Sequence, residues 1–202
     1  MNSKSTLLTL LLGGVLGTAF ILWSPIKTPN SGSDRLIVNE SPPGGDFTLT
    51  SINGQERLSD FKDKLVLIYF GYTFCPDICP TNLGNLSMAY QTLTSTEKAN
   101  LKVLFVSVDP ERDTPERLDQ YANYFEANIT GLTGKLEVIA EIAQRYGVVY
   151  TKVDTPDNGT NYAVDHSAFT YVVDQSGQLQ TQLPHATTPE QFVQTIKQYQ
   201  NR

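Results

Sequence analysis

The apolar positions of this chain change rhythm along its length. From Ser5 to Ile26 there is no charged side chain, and Leu, Gly, Val, Ala and Ile dominate. As a helix these 22 residues would span about 33 Å, enough for a hydrocarbon layer of about 30 Å. A cleaved signal peptide has a shorter apolar region, about 7–15 residues, closed by small side chains. Here Phe20, Ile21, Leu22 and Trp23 stand in that place. The pattern predicts an uncleaved membrane anchor over residues 1–26, with Trp23 at the interface. Half of residues 24–45 are Pro, Gly or Ser, and Pro42-Pro43-Gly44-Gly45 closes the stretch. Such a segment is extended and flexible, which predicts a tether over residues 27–45 and a folded domain over residues 46–202.

Within that domain, strand and helix rhythms alternate. Phe47–Thr50, Asn53-Gly54 and Arg57-Leu58 read as a hairpin turning on Asn-Gly. Leu65–Gly71 is a continuous apolar run, the pattern of a strand covered on both faces, and Leu101–Val108 is a second. Between them Leu83, Leu86, Tyr90 and Leu93 recur at helical spacing. Thr114-Pro115-Glu116 and Thr188-Pro189-Glu190 are helix starts, each with a cap, a first-position proline and an acid in the first turn. Residues 134–146 form a further helix ended by Gly147. Val148–Val153 and Phe169–Asp174 complete the strands. The order ββ–β–α–β–α–α–β–β–α predicts an α/β sandwich with a mixed central sheet and an added N-terminal β-hairpin.

Charge narrows the classes of function. The chain carries a net charge of −6, and beyond residue 30 its 13 bases face 21 acids. A surface of that sign repels phosphate backbones, which argues against nucleic acid as a partner. Two cysteines and two histidines exclude a zinc-finger array or a disulfide-dense scaffold.

Both cysteines lie in Gly71-Tyr72-Thr73-Phe74-Cys75-Pro76-Asp77-Ile78-Cys79-Pro80, where the buried strand turns into a helix. Four positions is about one helical turn, so the two β-carbons approach to about 5–6 Å. The helix N-terminus lowers thiol pKa through its free N–H groups and dipole. Two thiolates on one face can close a disulfide or hold a soft metal, whereas two small apolar residues would carry no chemistry. A metal needs a third donor, and the candidates are His166, His185, Met1 and Met88. His166 precedes the Phe169–Asp174 strand; His185 follows Pro184 in a polar neighbourhood. Among the acids, Asp77 and Asp165 adjoin these donors, and Asp109 stands at a strand end as an acceptor or a plain turn residue. Glu111, Arg112 and Asp113 read as a solvated charged turn.

Taken together, T-F-C-P-D-I-C-P, V-D-P-E-R-D-T-P (Val108–Pro115) and Y-x-V-D-H (Tyr162–His166) resemble the Sco/SenC family of copper chaperones over residues 40–200. The resemblance implies a thioredoxin-like fold with an added hairpin, and copper held by Cys75, Cys79 and His166. It also implies a role in building the dicopper centre of cytochrome c oxidase subunit II, as copper donor, as thiol reductant, or both. A thioredoxin-like reductant would then serve as a further partner. The domain would face the outer side of the inner membrane. With no Arg-rich, Ser-rich transit peptide, that membrane is expected to be bacterial.

Two thiolates and one imidazole suit Cu(I), and Cu(II) with an added oxygen ligand. The same donors plus water also match a catalytic zinc pattern, so copper rests on the family likeness and on the affinity series. Two other classes compete: a membrane-tethered thiol–disulfide oxidoreductase, and a thiol peroxidase or redox sensor. The first ordinarily carries Cys-x₂-Cys and a proline before the facing strand. This chain has three intervening residues, and His166-Ser167-Ala168 at that place.

Overall fold

Leu65–Gly71 (β3) is buried at all seven positions, and its neighbour Leu101–Ser107 (β4) at six of seven. These two strands pair in parallel from Leu65↔Leu101 to Gly71↔Ser107, which centres the core on them. The computed structural model describes residues 42–153 and 162–201. The predicted anchor over 1–26, with Met1 and Trp23, and the tether up to residue 41 lie outside the described residues. Among the described residues no helix is long and apolar enough to cross a membrane.

The chain enters through the hairpin Thr48–Ser51 (β1) and Gly54–Arg57 (β2). Its turn sits one residue earlier than the Asn-Gly reading. Ser51 pairs with Gly54, so Ile52 and Asn53 form the corner, and Gly54 alone there takes positive φ (+106°). A 3₁₀ turn (Leu58–Phe61) leads into β3. Helix α1 (Ile78–Thr92) and the short α2 (Ser95–Ala99) cross to β4. Helix α3 (Pro115–Asn123) then crosses to Ile129–Leu132 (β5), parallel to β4. Helix α4 (Leu136–Tyr146) stops at Gly147, with φ +68°.

Beyond α4 the topology departs from expectation. Tyr150–Val153 (β6) leaves the central sheet and pairs with Ala163–His166 (β7) as a separate two-stranded ribbon. The chain then returns as Thr170–Val173 (β8), antiparallel to β3, followed by Leu179–Leu183 (β9) and helix α5 (Pro189–Gln200). The central sheet has the order β5-β4-β3-β8-β9, mixed as predicted.

Helices cover both faces. On one face Tyr69 stacks on Phe105, which meets Tyr121 of α3, and Asn82 of α1 donates to Thr170. On the other, Phe70 and Tyr171 pack on Tyr146 of α4. Threonine caps begin three helices, the predicted Thr114 and Thr188 and the unpredicted Thr94, each accepting the N–H three residues on. Residues 42–45, the end of the predicted tether, are docked. Gly44 donates its N–H to Arg145, and Tyr146 Oη donates to the Gly45 carbonyl.

Candidate metal centre

Strand β3 delivers the cysteine loop at its C-terminal end, and the approach is close. A Cβ on Gly71 would lie 2.7 Å from Cys79 Sγ and 2.8 Å from the Phe105 ring, so only glycine lets this sulfur sit against the strand. Asp77 occupies the N-cap of α1 but makes no side-chain cap bond. Cys75 Sγ takes that role, accepting the Cys79 N–H at 3.5 Å. The helix thus begins on a sulfur, which favours the thiolate.

The two thiols are unequal. Cys79 is fully buried, while Cys75 keeps a small exposed edge. A hydrogen bond from the Cys79 thiol, opposed by burial and helped by the Asp77 and Cys79 N–H groups, lowers the Cys75 thiol from its ordinary range. Burial, then the neighbouring Cys75 sulfur, pushes Cys79 far up. In the metal-free pair the thiolate is therefore favoured at Cys75 and disfavoured at Cys79. Both cysteines are free, their sulfurs unbonded.

His166 ends β7, opposite Tyr150, and so precedes the central strand β8 as the last residue of a ribbon strand. Its Nε2 lies 3.3 Å from Cys79 Sγ, and its Nδ1 lies 3.1 Å from the Ser167 carbonyl. A carbonyl only accepts, so Nδ1 carries the proton, and in the neutral ring Nε2 presents a lone pair to the sulfurs. Tyr69 and Tyr72 set their rings edge-on to the imidazole, at 6.2 and 5.8 Å. The two Sγ atoms and a ring nitrogen of His166 all lie within 4.8 Å of one another. No other group of three His, Cys, Asp or Glu side chains comes together so among the described residues. This donor set of two soft sulfurs and one imidazole fits Cu(I) and, by ligand type, zinc.

The other candidates are not brought here. His185 is exposed between β9 and α5, and Met88 is exposed on α1. Asp77 and Asp165 are both exposed beside the site; Asp77 accepts from the Thr81 hydroxyl. The reading of Arg112 and Asp113 as solvated is overturned. Asp113 has 0% exposure and accepts from Thr73 N–H, Thr73 Oγ1 and Ser107 Oγ, fixing the cysteine loop to the end of β4. Arg112 Nε pairs with buried Asp109 at 2.5 Å. Glu111 does stay exposed, bonded to Lys152. Sequence reasoning missed Thr73, Tyr72 and Tyr162 as parts of the site's frame. The signal available was the joint presence of D-P-E-R-D-T-P and Y-x-V-D-H, whose residues prove to touch.

The SCO1/SenC family model matches residues 38–201. The chain belongs to the SCO1/SenC family. An SCO2-like protein of Rickettsia conorii is 34% identical over 194 residues, covering 94% of this chain and 93% of that protein. Among solved structures, apo Sco1 from Thermus thermophilus is 42% identical with a TM-score of 0.70, covering 78% of this chain and 91% of the other. Bradyrhizobium japonicum ScoI, solved with copper bound, is 37% identical with a TM-score of 0.70, covering 78% and 99%. BsSco, described as carrying a disulfide switch and as a member of the Sco family of cytochrome c oxidase assembly proteins, shares the fold at 23% identity and a TM-score of 0.62 over 80% and 95%. The thioredoxin-like α/β fold is thereby shown.

Proposed function

We propose that this Sco-family chain binds copper through Cys75 Sγ, Cys79 Sγ and His166 Nε2 and delivers it during cytochrome c oxidase assembly, at the dicopper site of subunit II. The observation that carries the reading is the convergence of these three donor atoms within 4.8 Å, the imidazole already turned by Ser167. Copper in related solved structures supports the choice of metal over zinc. The site opens to a shallow hollow lined by Tyr72, Cys75, Pro76, Ala163 and His166, the geometry of a site that releases its cargo to another protein. Residues 1–26 are proposed as a single-pass anchor in a bacterial inner membrane and the stretch after residue 26 as its tether, shortened from the predicted 27–45 because residues 42–45 are docked on the domain, which is proposed to lie on the outer side. A tether raises the effective concentration of a membrane-held partner.

A second reading has its own observation. Cys75 has an exposed edge and Cys79 has none, the asymmetry of an attacking and a resolving thiol. Cys75 would open a partner disulfide, and Cys79 would then release the partner's thiols. Two electrons pass to the partner as Cys75–Cys79 closes.

Both uses draw on the same two sulfurs. The test is copper titration of the full chain, reduced and oxidised. One equivalent should bind the reduced form, and closure of the disulfide should abolish it. Stoichiometric thiolate-type copper binding by the oxidised form would overturn the ligand assignment.

A further inference from the structure

Three segments meet at the metal centre, and only two of them supply proposed ligands. The third is the turn after β4, Asp109–Asp113. One of its carboxylates grips the cysteine loop: Asp113, through Thr73, while Ser107 ties the same carboxylate to the end of β4. The other grips the ribbon that carries His166. Asp109, 1% exposed, accepts the Tyr162 hydroxyl at 2.5 Å and the Arg112 Nε–H. Arg112 Nη1 donates to the Tyr162 carbonyl at 2.9 Å, and its guanidinium lies 3.5 Å from the Tyr162 ring centroid. The same guanidinium lies 4.6 Å from the Phe74 ring and 5.7 Å from the Tyr72 ring, both in the cysteine loop. Tyr72 completes the circuit by accepting the Val164 N–H at 3.2 Å.

These contacts bear on how His166 is held. The ribbon β6–β7 pairs with no strand of the central sheet, so sheet register does not fix its distance from the cysteines. Tyr162 stands directly before β7, and His166 closes that strand four residues later. Anchoring Tyr162 at both its hydroxyl and its carbonyl therefore fixes the imidazole relative to the sulfurs. A buried carboxylate–guanidinium pair is costly to desolvate unless its remaining hydrogen bonds are made. Here the bonds that are made beyond the pair both go to Tyr162, while Arg112 Nη2 is buried without a partner among the described residues, so the pair depends on the ribbon's position.

We infer that Asp109, Arg112 and Tyr162 are positioning residues that set His166 Nε2 against the two cysteine sulfurs. The inference rests on the reading of His166 as a copper ligand. Outer partners of metal ligands typically change affinity about 10–100-fold when removed. A group that acts through His166 has nothing to act on once that imidazole is gone.

The experiment is a double-mutant cycle on the reduced full chain, with Cu(I) affinity measured against a competing chelator. Tyr162→Phe removes one hydroxyl and keeps the ring; Asp109→Asn and Arg112→Lys probe the other two members. Nitrogen chemical shifts of the His166 ring in the copper-free protein give a second readout. Tyr162→Phe is expected to weaken Cu(I) about tenfold in the native background and less than twofold in His166→Ala, and to shift the ring nitrogens. Should Asp109→Asn fail to fold, Tyr162→Phe still decides. Equal losses in both backgrounds, or no loss in the native one, would overturn the positioning role while leaving the ligand reading intact. If His166→Ala alone leaves affinity unchanged, the ligand reading fails, and this inference with it.

Discussion

Gly71 and Gly84 subject the packing around Cys79 to a test in which one substitution has opposite signs at two places. A methyl at Gly71 would meet Cys79 Sγ at 2.7 Å and Phe105 Cε2 at 2.8 Å. Neither neighbour has room to retreat. Phe105 is fully buried and stacked on Tyr69, and Cys79 is fully buried with His166 behind it. Nor can the backbone swing, because Val108 donates its N–H to the Gly71 carbonyl at 2.8 Å and Gly71 pairs with Ser107. Overfilling a packed core costs about 1–3 kcal/mol. For a domain of this size that lowers Tm by about 2–12 °C. At Gly84, inside α1, an added Cβ meets nothing within 4 Å. There Ala is expected to stabilise by about 0.5–1 kcal/mol, the difference in helix-interior cost between the two residues. Urea and thermal unfolding of both reduced full-chain variants provide the assay, with Cu(I) affinity measured alongside. Gly71→Ala should lose stability and copper affinity together, while Gly84→Ala gains stability and keeps its copper. Equal stability changes in the two variants, or a Gly71→Ala protein unaltered in both properties, would refute the packing argument.

The remaining predictions separate ligand, thiol and frame. His166→Ala should weaken copper but leave oxidation to the Cys75–Cys79 disulfide intact, counted by thiol titration, whereas His185→Ala should alter neither. Burial raises the Asp113 carboxyl above the ordinary carboxylate range, although its hydrogen bonds pull the other way. The folded chain thus holds this proton to higher pH than the unfolded one, and the stability it contributes is present at low pH and lost as pH rises through the raised value. The unfolding free energy of wild type minus that of Asp113→Asn should therefore fall with rising pH across that window; a rise would contradict the assignment.

Much of the architecture was legible where side chains are apolar or cap a helix. The run Leu65–Gly71 became β3 with the predicted bounds. Thr114 and Thr188 cap the helices they announced. What stayed hidden depends on tertiary contacts. Strand β9, Leu-Gln-Thr-Gln-Leu, is only half covered at the sheet edge, so its polar positions mask it. Strand β6 was legible within Val148–Val153, but its partner β7 has four residues of which only Val164 is buried. Strand β7 is legible only once Tyr72 and Arg112 are seen holding it and the residue before it. The donors of the candidate site could be picked out because chemistry limited the choice to a few side chains. Its frame could not, because Arg112 and Asp113 look like solvated charge and Asp109 like a turn residue in one dimension, and the two carboxylates become buried and Arg112 half-buried only when β3, β4 and β7 converge.

X-ray absorption at the copper edge of the Cu(I)-loaded full chain, wild type beside His166→Ala, tests the central claim most directly. The account predicts two sulfur neighbours and one imidazole nitrogen in wild type, with that nitrogen gone and both sulfurs kept in the variant. An unchanged nitrogen shell in His166→Ala, or fewer than two sulfurs in wild type, would contradict it.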